Sequence, residues 1–213
     1  MNEIILKTIS ARYTAAARDM GDLKEIRGGL FRFSCESYSL DGIGNLFFIR
    51  MRAMAGLIKM ETAVLTPVER DLSFCNFDVV HAAGTHTMIF EMYRTCMEER
   101  DLSAFAPIRE TYRQLPDYES APRWYDEFRL PPSMGKRGRG IAPEGERMLL
   151  DCLRQYLDVL DAAPECDAEA KRAQNRIYVD RLLREGGMAV DNMKKIIGVE
   201  KTERLVRTFM YDV

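Results

Sequence analysis

Apolar residues recur at helical spacing only towards the two ends of the chain. The middle alternates apolar and polar residues with a period of two. Over residues 3–20, Ile4, Ile5, Thr8, Ile9, Tyr13, Ala16 and Met20 fall at the intervals of one helix face and predict an amphipathic helix. From Leu30 the period changes. Phe31, Phe33 and Cys35 alternate with Arg32, Ser34 and Glu36, the signature of a half-solvated strand. Asp41-Gly42 and Gly44-Asn45 supply a turn. A second strand over 46–53 puts Leu46, Phe48, Arg50 and Arg52 on one face and Phe47, Ile49 and Met51 on the other. A third, over 57–66, stops at Pro67, which has no N–H to give to a ladder.

The pattern centres on residues 76–93. Runs of β-formers on either side of Ala83-Gly84-Thr85 predict a hairpin, and with the preceding strands an antiparallel meander. Into these apolar strands the chain places Asp78, Glu91 and both of its histidines, His81 and His86. Burying such groups is costly unless they are paired, hydrated or turned to a ligand, so something polar is expected against this sheet.

Beyond Tyr93, Asp101 caps a helix that runs to about Gln114. Residues 115–142 are rich in proline, carry Gly135-Lys136-Arg137-Gly138-Arg139-Gly140, and predict a long loop. Helices follow over 143–162, 167–185 and 188–212, the last broken at Gly198, with Gly186-Gly187 ending the one before it. Strands in the middle with helices before and after predict an α+β fold, a three-layer α/β/α sandwich with a central antiparallel β-sheet, in a single domain over 1–213.

Composition narrows the functional classes. A net charge of −2 argues against a nucleic-acid partner. Five dispersed cysteines without a CxxC pair fit reduced thiols in a cytoplasmic protein and no structural zinc site. Neither a signal peptide nor a run of about eighteen apolar residues occurs, so a cytoplasmic protein without a membrane partner is expected.

Several stretches carry a resemblance. Gln174-Asn175-Arg176-Ile177-Tyr178, Asp191-Asn192-Met193, Ile197-Gly198, Glu203-Arg204 and Thr208-Phe209-Met210-Tyr211-Asp212 follow one another as in the closing part of the ferredoxin-dependent bilin reductases, relatives of the red chlorophyll catabolite reductases. Asp71-Leu72-Ser73-Phe74-Cys75-Asn76-Phe77-Asp78-Val79-Val80 is similar to that family's Leu-Pro-x-Phe-Gly-x-Asp-Leu-Val strand. Gly84-Thr85-His86 with Phe90-Glu91-Met92 is similar to its Gly-Gly-His and Leu-Asp-Met strand. The resemblance runs from about residue 30 to the end. It implies an α/β/α sandwich holding a linear tetrapyrrole between sheet and helices, no bound cofactor, and single electrons from an external ferredoxin or flavodoxin. It also implies that Asp78 contacts the pyrrole nitrogens. Two family positions depart: the Glu of an earlier strand falls on Arg50, and a His falls on Thr62, with Glu61 beside it.

The candidate residues each have two readings. Asp78, if buried, has a raised pKa suited to a proton donor; otherwise it caps a turn or pairs with an arginine. His86 reaches a propionate or ring nitrogen of a ligand, while His81 is a satisfied structural histidine. Arg50 and Arg52 either fork onto ligand propionates or bridge to Glu61 on the next strand. Glu61, Thr62 and Glu91 complete the expected substrate-binding set. Asp78, His86 and Glu91 also have the residue types of a metal-dependent hydrolase, although parity puts Asp78 and His81 on opposite faces. The basic run 136–139 is a solvated loop, a phosphate-binding loop or a docking point for an acidic electron donor. The leading expectation is a tetrapyrrole reductase with Asp78 as proton donor. Its alternative is a non-catalytic tetrapyrrole-binding protein on the same fold.

Overall fold

The computed structural model describes residues 1–213, the side chain of Met188 excepted. Its middle layer is an antiparallel sheet of eight strands: β1 (Ala15–Ala17), β2 (Glu25–Gly28), β3 (Phe31–Leu40), β4 (Gly44–Ala53), β5 (Ile58–Pro67), β6 (Cys75–Ala82), β7 (Thr85–Met92) and β8 (Met134–Gly138). Strands β3 to β8 lie side by side in chain order, and β1 and β2 share the outer edge of β3. The β6–β7 turn has only two residues, Ala83 and Gly84, both at positive φ (51° and 75°). That combination matches the twist of the strands and fixes their register.

Register decides what each face carries. Ile49, Thr62, Asp78 and Ile89 form one cross-strand row. Phe47, Val64, Asn76 and Glu91 form another on the same face. This face is covered by α4 (Ala168–Glu185), α5 (Met188–Ile197), α6 (Val199–Arg204) and a π-helical turn over Leu205–Tyr211. The opposite face, with Phe48, Ala63, Phe77 and Phe90, is covered by α1 (Asn2–Ser10) and α3 (Ala142–Ala162). In α3 the buried positions Leu149, Cys152, Leu153, Tyr156, Leu157 and Leu160 recur every three or four residues. Each buried leucine there contributes roughly 1.5–3 kcal/mol. The three-layer α+β sandwich expected from the alternation is the observed fold.

Local departures have local causes. The first helix ends at Ser10 rather than near residue 20, because Arg12 and Tyr13 both bind Asp161 at the end of α3 and turn the chain. Ala15–Ala17 then pairs with β3. Asp101 Oδ1 accepts the Ser103 N–H at 2.9 Å, but the expected 101–114 helix is only a 3-10 turn and the short α2 (Ala106–Thr111). Within the expected 115–142 loop, Met134–Gly138 becomes β8 against β7. Lys136 is therefore buried rather than solvated, its ammonium held by Leu115 O at 2.9 Å and Asp117 Oδ1 at 2.7 Å. Trp124 pins the same segment to the body, its Nε1–H donating to Gly186 O at 2.8 Å. The expected break in the last helix falls at Gly198, whose φ of 82° separates α5 from α6.

Candidate functional site

A cavity of about 330 Å³ lies between the Asp78 face of the sheet and the carboxy-terminal helices. Its sheet side is apolar except at a few positions: Ile49, Met51, Met60, Val80 and Ile89 surround Thr62, Asn76, Asp78 and Glu91. Leu182, Val190, Met193, Leu205 and Val206 close it from the helices. The 118–129 segment adds Tyr118, Arg123, Tyr125 and Arg129. Apolar walls with a few convergent polar groups are the usual make-up of a small-molecule site.

Asp78 is the group these walls act on. Desolvation pushes its carboxyl up to about 7; the Thr62 hydroxyl, which donates to Oδ1, pulls it down, and the charge of Glu91 pushes it up again. Glu91 is anchored. Its Oε2 accepts from the Tyr93 hydroxyl at 2.5 Å, and its Oε1 lies 3.2 Å from Arg129 Nη2. Arg129 also holds Asp126 at 2.6 Å. Burial pushes the phenols of Tyr93, Tyr178 and Tyr211 well up, so they stay protonated near neutral pH. Tyr178 sits amid Phe74, Tyr93, Trp124, Phe128 and Tyr211, an aromatic cluster that fixes the side of the cavity. Two further polar features face the same space. Asn76 Oδ1 is buried and has no hydrogen-bond partner among the described residues, which leaves an acceptor open two residues from Asp78. Arg123 stacks over Tyr125 at 5.8 Å and forms no ion pair among the described residues, which leaves a cation for an anionic ligand group.

The structure brings together Asp78, Thr62 and Glu91 from the expected set and does not bring the others to them. Arg50, Arg52, Glu61 and His86 project from the opposite face, because each is an odd number of strand positions away from the row that carries Asp78. Arg50 bridges to Glu36 at 2.5 Å rather than to Glu61. Glu61 Oε2 takes the Met1 amino group at 2.9 Å and the Asn2 N–H at 3.0 Å. Arg52 lies in the row of Lys59, and His86 stacks on His81 with ring centroids 4.5 Å apart. His86 thus joins neither Asp78 nor Glu91, and these three residues do not converge on one ion. Asn76, Arg123, Tyr125 and Arg129 were not among the site residues expected from the sequence. Asn76 had a readable signal, since it shares the parity of Asp78; the three loop residues had none.

No protein-family model and no curated protein sequence matches the chain. Solved structures do. Selenomethionine phytochromobilin synthase from tomato in complex with biliverdin superposes with a TM-score of 0.77 at 13% identity, covering 98% of this chain and 80% of that one. At that identity the likeness shows a shared fold.

Proposed function

We propose that the cavity binds a linear tetrapyrrole of the bilin type and that the protein reduces it with single electrons from a ferredoxin-like or flavodoxin-like donor. The observation that carries this reading is the carboxyl of Asp78, poised near pH 7 among largely apolar cavity walls. A protein of the same fold was solved with biliverdin, which supports a pigment of that class. Pyrrole N–H groups need acceptors, and Asp78 and Asn76 offer them on one face about 7 Å apart. Propionates need cations, and Arg123 offers one. The flat macrocycle-derived chain needs apolar walls that adapt, which Met51, Met60 and Met193 supply.

Reducing one double bond takes two electrons and two protons. The electrons come one at a time from the external donor. A singly reduced bilin is more basic than its parent, and an acid that is half protonated at neutral pH both delivers a proton to it and recovers one from water. Asp78 fills that role. Thr62, by donating to Oδ1, holds the carboxyl in orientation and keeps its acidity near neutral.

A second reading, binding without turnover, is favoured by one observation: Arg50, Arg52, Glu61 and His86 face the other layer, so no histidine stands beside Asp78 as a further proton donor. Anaerobic mixing of the protein with biliverdin and reduced ferredoxin separates the two. Reduction predicts loss of the long-wavelength band and growth of a shorter-wavelength product. Binding with no such change supports the carrier, and no spectral response to any bilin removes both.

A further inference from the structure

A second feature lies at the hairpin end of the sheet, on the face away from the cavity. The register sets Arg27, Arg32, Arg52, Lys59, His81 and His86 opposite one another in a single row across six strands. At ~4.8 Å per strand the row is roughly 24 Å long. Like charges directly opposite destabilise a sheet, so stability does not explain the row. Its side chains form no ion pair among the described residues. The carboxylates further in are engaged elsewhere, Glu36 with Arg50 and Glu61 with the Met1 amino group. Glu25, next to Arg27 along β2, stays unpaired as well among the described residues.

One step beyond this row are the β2–β3 and β4–β5 hairpin tips, and both are apolar. Leu30 is 72% exposed, Met54 51% and Leu57 67%. Leu30 and Leu57 are the most exposed large hydrophobic side chains among the described residues. Met54 and Ala55 hold left-handed backbone, with φ of 52° and 54°, where glycine is unstrained. The chain therefore keeps side chains at a turn that favours having none.

We propose that this edge docks peripherally on an anionic lipid bilayer. Leu30, Met54 and Leu57 enter the boundary between headgroups and acyl chains, and Arg27, Arg32, Arg52 and Lys59 of the row lie on the lipid phosphates. Three considerations favour a bilayer over other occupants. The tips protrude separately beyond the last paired row, and a fluid interface closes around such points where a flat protein surface leaves gaps. Two copies placed edge to edge set like-charged rows against each other. A nucleic acid engages the row but leaves the leucines in water. The docking needs no spanning segment, and no helix is long and apolar enough to be one. It is independent of the cavity and its ligand.

Co-sedimentation of the full chain with vesicles tests this, comparing phosphatidylcholine alone with phosphatidylcholine containing phosphatidylserine. Sedimentation is expected only with the anionic vesicles and is expected to weaken with added salt. Arg32→Gln with Lys59→Gln lowers partitioning roughly twenty-five-fold, about fivefold per cation. Leu30→Ser with Leu57→Ser lowers it roughly tenfold. All these side chains are exposed, and far-ultraviolet circular dichroism checks the fold; Leu57→Ser alone carries the same test with a smaller loss. Bilin titration of each variant is expected to match the parent, which keeps this result separate from the cavity's function. Absence of phosphatidylserine-dependent sedimentation overturns the proposal. So does parental sedimentation of the leucine variants, which reveals a surface that reads charge alone, as for a polyanion or an acidic protein.

Discussion

Thr62 and Asp78 are direct cross-strand partners on β5 and β6, and the Thr62 hydroxyl donates to Asp78 Oδ1. The pairing follows from register. It matters because a carboxyl desolvated by Ile49, Met60, Val80 and Ile89 is otherwise driven further from its ordinary acidity. One hydroxyl, placed by the ladder, therefore sets how close to neutrality the cavity's acid titrates.

Replacing Thr62 by Val removes that donor while keeping the shape. Asp78 is expected to move further up, and the alkaline limb of the pH profile of bilin reduction is expected to move up with it. A profile that stays in place under Thr62→Val means that the hydroxyl does not tune the acid.

Asp78→Asn keeps the hydrogen-bonding outline and removes the proton. Turnover is expected to fall about 10²–10⁴-fold, the usual contribution of a positioned general acid. The affinity for biliverdin changes far less. The check is single-turnover absorbance alongside an equilibrium titration of the same variant.

The same carboxyl makes stability depend on pH, with a sign that follows from its raised value. The unfolded chain ionises Asp78 near 3.8 and the folded protein near 7. This group's contribution is therefore complete below the unfolded value, is lost as pH rises through 7, and is flat above. Asp78→Asn removes that slope. Between pH 5 and pH 8 the variant is expected to gain on the order of 2–3 kcal/mol relative to the parent, read by denaturant unfolding. A gap that does not change with pH contradicts the desolvation that raises Asp78.

The Arg123 guanidinium has no carboxylate partner among the described residues, whereas that of Arg129 is committed to Glu91 and Asp126. Arg123→Ala is expected to weaken bilin binding about tenfold or more, the value of a charge-assisted hydrogen bond, and to lessen the salt dependence of binding. A bilin diester lacking free propionates is expected to bind parent and variant alike. Equal losses for acid and diester speak against a propionate contact.

Away from the site, Asp71 holds the connection between β5 and β6 against α4. It accepts the Met97 and Glu98 N–H groups at 2.7 and 3.1 Å, meets Arg100 at 2.9 Å, and lies 3.7 Å from the fully buried Lys171 ammonium. Asp71→Ala leaves that ammonium in the core without a counter-charge, held only by the Thr95 carbonyl, and is expected to cost about 3–5 kcal/mol. Thermal unfolding measures it.

Much of this was legible in the chain, and the misses are specific. Alternation in 31–36 and 46–53, the Ala83-Gly84 turn and the periodicity of 143–162 were enough for the layers. Within each strand, parity separated Asp78 from His81 and Arg50 from Ile49. The relation between strands was harder, because it depends on turn length. The two-residue turn implies that His81 faces His86 and that Asn76 faces Glu91, so the separation of His86 from Asp78 was present in the sequence as arithmetic. The separation of Arg50, Arg52 and Glu61 was not, since the four-residue turn at 54–57 admits other registers. The strand β8 was hidden by its own composition. Gly135-Lys136-Arg137-Gly138 has no apolar alternation, and only pairing with β7 makes it extended. Arg123, Tyr125 and Arg129 reach the cavity from an irregular segment whose path no local pattern encodes.

The central claim is that Asp78 presents a proton to a bilin held in this cavity. The visible absorption of biliverdin titrated with the parent protein and with Asp78→Asn tests it most directly. With the parent, a saturable shift of the long-wavelength band is predicted, with a pH dependence that disappears in the Asp78→Asn complex although the pigment still binds. A bound spectrum that is the same in both proteins across pH 5 to 9, or no binding by either, contradicts the account.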